Sequence, residues 1–227
     1  MSPEVLTPVR PEEVALDKGS GPSGGGDGGF GGDSPDPSER AWSVPARAYR
    51  TGMYMALAAI TMLFAAFTSA MVVRHGVSND WAHTTLPRVL WLNTAVLLAS
   101  SATLELAKRG LWSNESRRFI VWLDVTAALG ATFIAGQLVA WKQLAARGVY
   151  LATNPSSSFF YLLTAAHGLH LLGGVIALLY LLLRARRILA HSGSGAPGRT
   201  AVEVTAIYWH FMDALWVYIL ILLMTRM

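Results

Sequence analysis

Val202-Glu203-Val204-Thr205-Ala206-Ile207-Tyr208-Trp209-His210-Phe211-Met212-Asp213-Ala214-Leu215-Trp216 places three ionisable side chains inside a stretch that otherwise stays apolar for the width of a bilayer. An ionisable group in hydrocarbon is costly and needs a partner within the protein. Glu203, His210 and Asp213 are separated by seven and three residues, which at about 3.6 residues per turn brings all three near one face of a helix. That face must look into a bundle rather than at lipid.

The rest of the chain supports the same class. Of 227 residues, 53% are hydrophobic and 14% charged, and the mean hydropathy is +0.40, which is a membrane-protein composition. With no cysteine, disulfides, iron–sulfur clusters, thiolate zinc sites and thiol catalysis are excluded. The formal charge of +4 does not indicate nucleic acid, because the basic residues sit between apolar runs instead of forming a stripe with interleaved aromatics.

Residues 1–45 include Gly19-Ser20-Gly21-Pro22-Ser23-Gly24-Gly25-Gly26 and Asp33-Ser34-Pro35-Asp36-Pro37, a composition that buries too little apolar area to offset chain entropy. A disordered cytoplasmic tail is expected there. A signal peptide is not expected, since no apolar run follows the start. Residues 46–227 form the membrane domain, with apolar runs at about 52–73, 89–107, 119–141, 158–183 and 202–225. Each approaches the roughly 20 residues that cross a hydrocarbon core of about 30 Å. The fold class is therefore all-α, a polytopic bundle of five transmembrane helices.

Glu105 and Asp124 mark the ends of the second and third runs, close enough to the interface to be solvated. Asn154-Pro155-Ser156-Ser157-Ser158 supplies a turn and caps before the fourth helix, and His191–Gly198 a flexible link before the fifth. Lys and Arg divide 13 to 5 between the two sides, which puts the N-terminus in the cytoplasm and the C-terminus outside, in a cell inner (plasma) membrane.

The fourth helix carries His167-Gly168-Leu169-His170-Leu171-Leu172-Gly173-Gly174, two imidazoles one turn apart with small residues that admit a close neighbour. Two readings of the polar residues stay open. In one, His167, His170 and His210 with Glu203 and Asp213 ligate a metal or haem. In the other, the stronger because the fourth helix offers only a His pair, these groups hydrogen-bond across helices and hold the bundle in register. A proton channel on Glu203 and His210 is a third, weaker reading. Asn93 and Gln137 read as interhelical amide contacts, while Ser100, Ser101 and Thr103 can bond their own helix carbonyls. The tryptophans 81, 91, 112, 122, 141 and 216 fall mostly near run ends, as interface anchors do. Trp209 lies deeper, and its indole N–H needs a partner. Walker-type loops, His-Glu-x-x-His and Gly-x-Ser-x-Gly are all missing from the sequence, and so are inverted repeats.

Three segments resemble subunit III of the haem-copper oxidases, in its short five-helix form. The Glu203 to Trp216 stretch is similar to that family's final-helix signature, Thr164-Ala165-Ala166-His167-Gly168-Leu169-His170 to its His-Gly-x-His motif, and Leu92-Asn93-Thr94-Ala95-Val96-Leu97-Leu98-Ala99-Ser100-Ser101 to its Asn-Thr-x-x-Leu-x-x-Ser segment. The resemblance covers about residues 47–227. It implies an accessory subunit with no catalytic, cofactor or metal-binding residues of its own, packed on the catalytic subunit I that holds haem and copper, and beside other oxidase subunits. It also implies phospholipid contact and support of proton uptake. His167, His170, Glu203, Trp209, His210, Asp213 and Asn93 are then expected to form a structural polar network or to touch lipid. One departure stands out: family members commonly carry an acid in the middle of the first of these helices, where this chain has Ala58-Ala59-Ile60-Thr61. A subunit III-like protein of a quinol oxidase or nitric oxide reductase is the alternative.

Overall fold

In the computed structural model, residues 46–77, 88–151, 154–192 and 198–226 are described. The tail at 1–45, Trp81 and residues 193–197 of the last link lie outside them. Among the described residues there are five helices: α1 Ala46–Val77, α2 Val89–Trp112, α3 Ser116–Ala146, α4 Pro155–Ser192 and α5 Arg199–Arg226. All five are long and apolar enough to cross a membrane. This is a multi-pass, all-helical membrane protein.

Each helix outruns the apolar window that announces it. The extra turns carry Arg47, Arg50, Arg117, Arg118, Arg184, Arg186 and Arg187. Arginine is a good helix former, so hydrophobicity marks the part that meets lipid and propensity carries the helix past it. The ends are set by local chemistry. At the end of α3, Gly148 adopts φ +77°, its N–H donating to Ala145 O (2.9 Å) and that of Val149 to Leu144 O (3.1 Å). This is a Schellman cap, which favours glycine at the left-handed position. Between α2 and α3 the left-handed residue is Asn114, φ 57°, a residue type that tolerates it. At the start of α4, Pro155 takes the first helical position, where its missing N–H costs nothing. Ser157 Oγ there accepts the Asn154 N–H (3.2 Å) and donates to Tyr150 O (2.9 Å).

α2 and α3 pair as an antiparallel hairpin, α3 packs on α4, α4 on α5, and α5 also covers α2. Among the described residues α1 meets only α4 and α5. α5 is the most enclosed of the five, and its fully buried Trp209, Met212, Trp216, Ile219 and Leu223 form the axis of the core.

Candidate functional site

The interior is organised by two indoles of α5. Trp209 enters a slot cut by two glycines: a Cβ on Gly130 of α3 would lie 2.7 Å from the ring, and one on Gly174 of α4 would lie 3.2 Å from it. Its Nε1–H donates to Ser100 Oγ of α2 at 3.0 Å. One side chain thus ties α5 to three other helices. Two turns further on, Trp216 Nε1–H donates to Thr94 Oγ1 of α2 (3.0 Å), and its ring packs edge-on against Phe133 of α3 at 4.8 Å between centroids. In hydrocarbon such pairs replace the hydrophobic force that is absent between helices, because lipid tails are as apolar as leucine.

His167 is fully buried between Phe133 at 5.9 Å and Trp216 at 5.1 Å. Neither of its ring nitrogens makes a hydrogen bond. Asp213, also buried, makes no hydrogen bond of 3.5 Å or less through either oxygen, though the Ser101 hydroxyl lies close to it. Asn93 is pressed against Gly136 of α3, and its Nδ2 is unpartnered. His170 turns the other way: its Nδ1 bonds to Ala166 O of its own helix (2.7 Å), its ring meets Phe64 of α1, and its carbonyl accepts from Tyr208 Oη (2.7 Å).

The charged residues gather at the end of the bundle that holds the start of α5. Arg50 of α1 pairs with Glu203. His210 Nδ1 bonds to Ser101 Oγ at 2.5 Å, while its Nε2 stands 3.9 Å from Glu105. Glu105 accepts from Lys108 Nζ at 2.7 Å, and the same ammonium lies 5.2 Å from the centre of the Trp112 ring. Arg50, Tyr54, Lys108, Trp112, Glu203 and His210 line an open cavity of about 340 Å³. At the same end of the bundle, Arg186 Nη2 of α4 donates to both oxygens of Asp124 on α3 (2.8 and 2.6 Å).

The structure therefore divides the seven residues singled out from sequence. Glu203 and His210 belong to the ionic end, Trp209 to the indole slot, and His167, Asp213 and Asn93 to the unpartnered interior, while His170 bonds within α4. Glu203 is near the start of α5 and partly exposed, so it is not deep in hydrocarbon. Arg50 and Gly130 were missed. The first resembles a loop charge, and the second has only its position, a glycine in the middle of an apolar helix, where close approach is the usual reason. Among the described residues no group of three or more His, Asp or Glu could hold a metal ion.

The sequence that builds these helices is similar to known proteins. The profile of cytochrome c oxidase subunit III matches residues 46–225. The chain belongs to that family. Its similarity extends to cytochrome c oxidase subunit 3 of Thermostichus vulcanus, 29% identical over 76% of this chain and 84% of the relative. The subunit 3 of Synechocystis sp. is 30% identical, over 75% and 72%. The cytochrome bo(3) ubiquinol oxidase subunit 3 of Pseudomonas aeruginosa is 31% identical over 73% and 79%. The subunit III match begins with α1 and ends with α5, so it spans the whole five-helix unit.

Proposed function

We propose that this chain is the accessory subunit III of a proton-pumping cytochrome c oxidase in aerobic electron transport. It packs on the catalytic subunit, contacts lipid, supports proton uptake and contains no redox centre of its own. The observation that carries this reading is the family match across all five helices. The two indole–hydroxyl pairs of the interior support it, since such pairs hold helices together. Haem and copper belong to the catalytic subunit, and their chemistry there is the four-electron reduction of oxygen.

The end that holds Arg50, Lys108, Arg118 and Arg186 faces the cytoplasm in this reading, as the 13-to-5 division of Lys and Arg supports. The open cavity there, with Arg50 and Lys108 beside Tyr54 and Trp112, suits contact with a lipid headgroup, because cations and amphipathic rings favour that depth. A quinol as electron donor is the second reading, favoured by the similarity to the ubiquinol oxidase subunit of Pseudomonas aeruginosa.

The test is purification of the tagged chain from its native membrane in mild detergent, with mass spectrometry of partners and an absorption spectrum. The expected result is co-purification with a haem-bearing subunit, and loss of the haem spectrum when that subunit is stripped away. A chain that emerges alone and coloured would overturn the accessory reading.

A further inference from the structure

A groove between α3 and α4 opens on the outside of the bundle, with a volume of about 230 Å³. Its rims are Leu138, Leu169 and Leu172, which are 50%, 69% and 43% exposed. Its floor dips at Gly168, where an added Cβ would meet nothing within 4 Å. Gln137 also lines it. That side chain is 4% exposed, and neither its Nε2 nor its Oε1 has a hydrogen-bond partner. The polar groups beside it are committed elsewhere: Trp141 Nε1–H donates to Thr164 Oγ1 (3.1 Å), and Thr164 donates to Phe160 O (2.7 Å).

Depth decides what could answer the amide. α3 is 31 residues long, and Gln137 lies six residues past its midpoint, about 9 Å of helix rise. This is inside a hydrocarbon core whose half-thickness is roughly 15 Å. An acyl chain offers no donor or acceptor at that level, whereas a neighbouring helix that carries a polar side chain does. The three side-chain torsions of glutamine let its amide turn into the groove.

We infer that the α3–α4 groove is the surface on which a transmembrane helix of the partner subunit seats, with a hydrogen-bonding side chain reaching the Gln137 amide. The inference rests on the accessory-subunit reading, and it assigns that reading a face. The groove takes a helix because its leucine rims supply close-packed contact, and the Gly168 dip lets a backbone approach.

The experiment uses the full tagged chain in its native membrane. A benzophenone amino acid is placed at Leu169 in one strain and, in another, at Met62 of α1, which is 74% exposed on a different helix. After irradiation the Leu169 probe is expected to join the haem-bearing subunit at least about tenfold more than the Met62 probe. A groove-filling Gly168→Leu and an amide-removing Gln137→Leu should each lower recovery of that subunit by about tenfold, the effect of roughly 1.4 kcal/mol. Gly52→Leu, on α1 and equally free of steric conflict, should leave recovery unchanged. Adducts with lipid alone at Leu169, or preferential capture at Met62, would overturn the assignment while the accessory reading stood. Absence of the haem-bearing subunit from the wild-type purification would overturn both.

Discussion

A methyl group added at Gly130 should be intolerable only while Trp209 is present. The Cβ of Gly130→Ala would lie 2.7 Å from Trp209 Cη2, 3.1 Å from Cζ2 and 3.2 Å from Val175 Cγ2, where carbon atoms prefer about 3.5–4.0 Å. The indole has little room to retreat, because Gly174 faces its other edge so closely that a Cβ there would lie 3.2 Å away, and Ser100 holds its nitrogen. Overpacking of this kind costs about 1–3 kcal/mol. In a Trp209→Leu background both offending ring atoms are gone, and only Val175 Cγ2 must give by a few tenths of an ångström. The alanine methyl then fills part of the void, and alanine's helix propensity adds up to about 1 kcal/mol of stability. Gly130→Ala should therefore switch from destabilising to neutral or stabilising, with a coupling energy of about 1–3 kcal/mol. Titration of the purified chain in mixed micelles with dodecyl sulfate, followed by circular dichroism, measures all four corners of the cycle. Costs that add to within about 0.5 kcal/mol would refute the slot as the link between α3 and α5.

Thr94→Val removes the acceptor for Trp216 and should cost about 0.6 kcal/mol in the same titration, and at most about 1.7, the average and the upper limit for interhelical hydrogen bonds in membranes. His167→Phe should be neutral or stabilising despite the buried position, because it deletes two unpartnered nitrogens and keeps an aromatic ring between Phe133 and Trp216. A loss above about 1 kcal/mol would contradict that. His210→Leu breaks the contacts with Ser101 and Glu105 and should lower retention of the catalytic subunit in mild detergent, so full retention would argue against a role at that end. The Asp124–Arg186 pair is 39% and 53% exposed, and a double-mutant cycle on alanine variants should give a coupling below about 1 kcal/mol.

Hydrophobic runs made the five spans readable, since each crossing needs its own apolar length. They could not show that α1 begins at Ala46 or that α4 continues to Ser192, because those turns are helical by propensity and by pairs such as Asp124 with Arg186. The demand of Trp209 for a partner was also readable, but its partner was not: Ser100 is 109 residues away. Ser100 also donates to its own Leu97 O (2.6 Å), so the local hydroxyl–carbonyl bond expected from sequence is present together with the long-range one. The ionic end was harder to see. Glu203 looks buried in a linear reading, and only the approach of α1 brings Arg50 to it. The unpartnered state of His167 and Asp213 is a property of packing, and no spacing rule expresses it.

The position of α5 has a consequence for how the chain is made. The indoles that fill the seats on α2, α3 and α4 belong to α5, which is synthesised after all three, and two of α1's anchors, Glu203 for Arg50 and Tyr218 for Thr68, are on it as well. Until that helix arrives, the nascent chain presents Ser100 and Thr94 without their indole donors, and α1 has only α4 to lean on. At roughly 5–20 residues per second, the 28 residues of α5 take about 1.5–6 s to translate. A transcript truncated before Glu203 would leave in the bilayer a product without α5 and with two empty seats, a readily distinguishable substrate for membrane proteases.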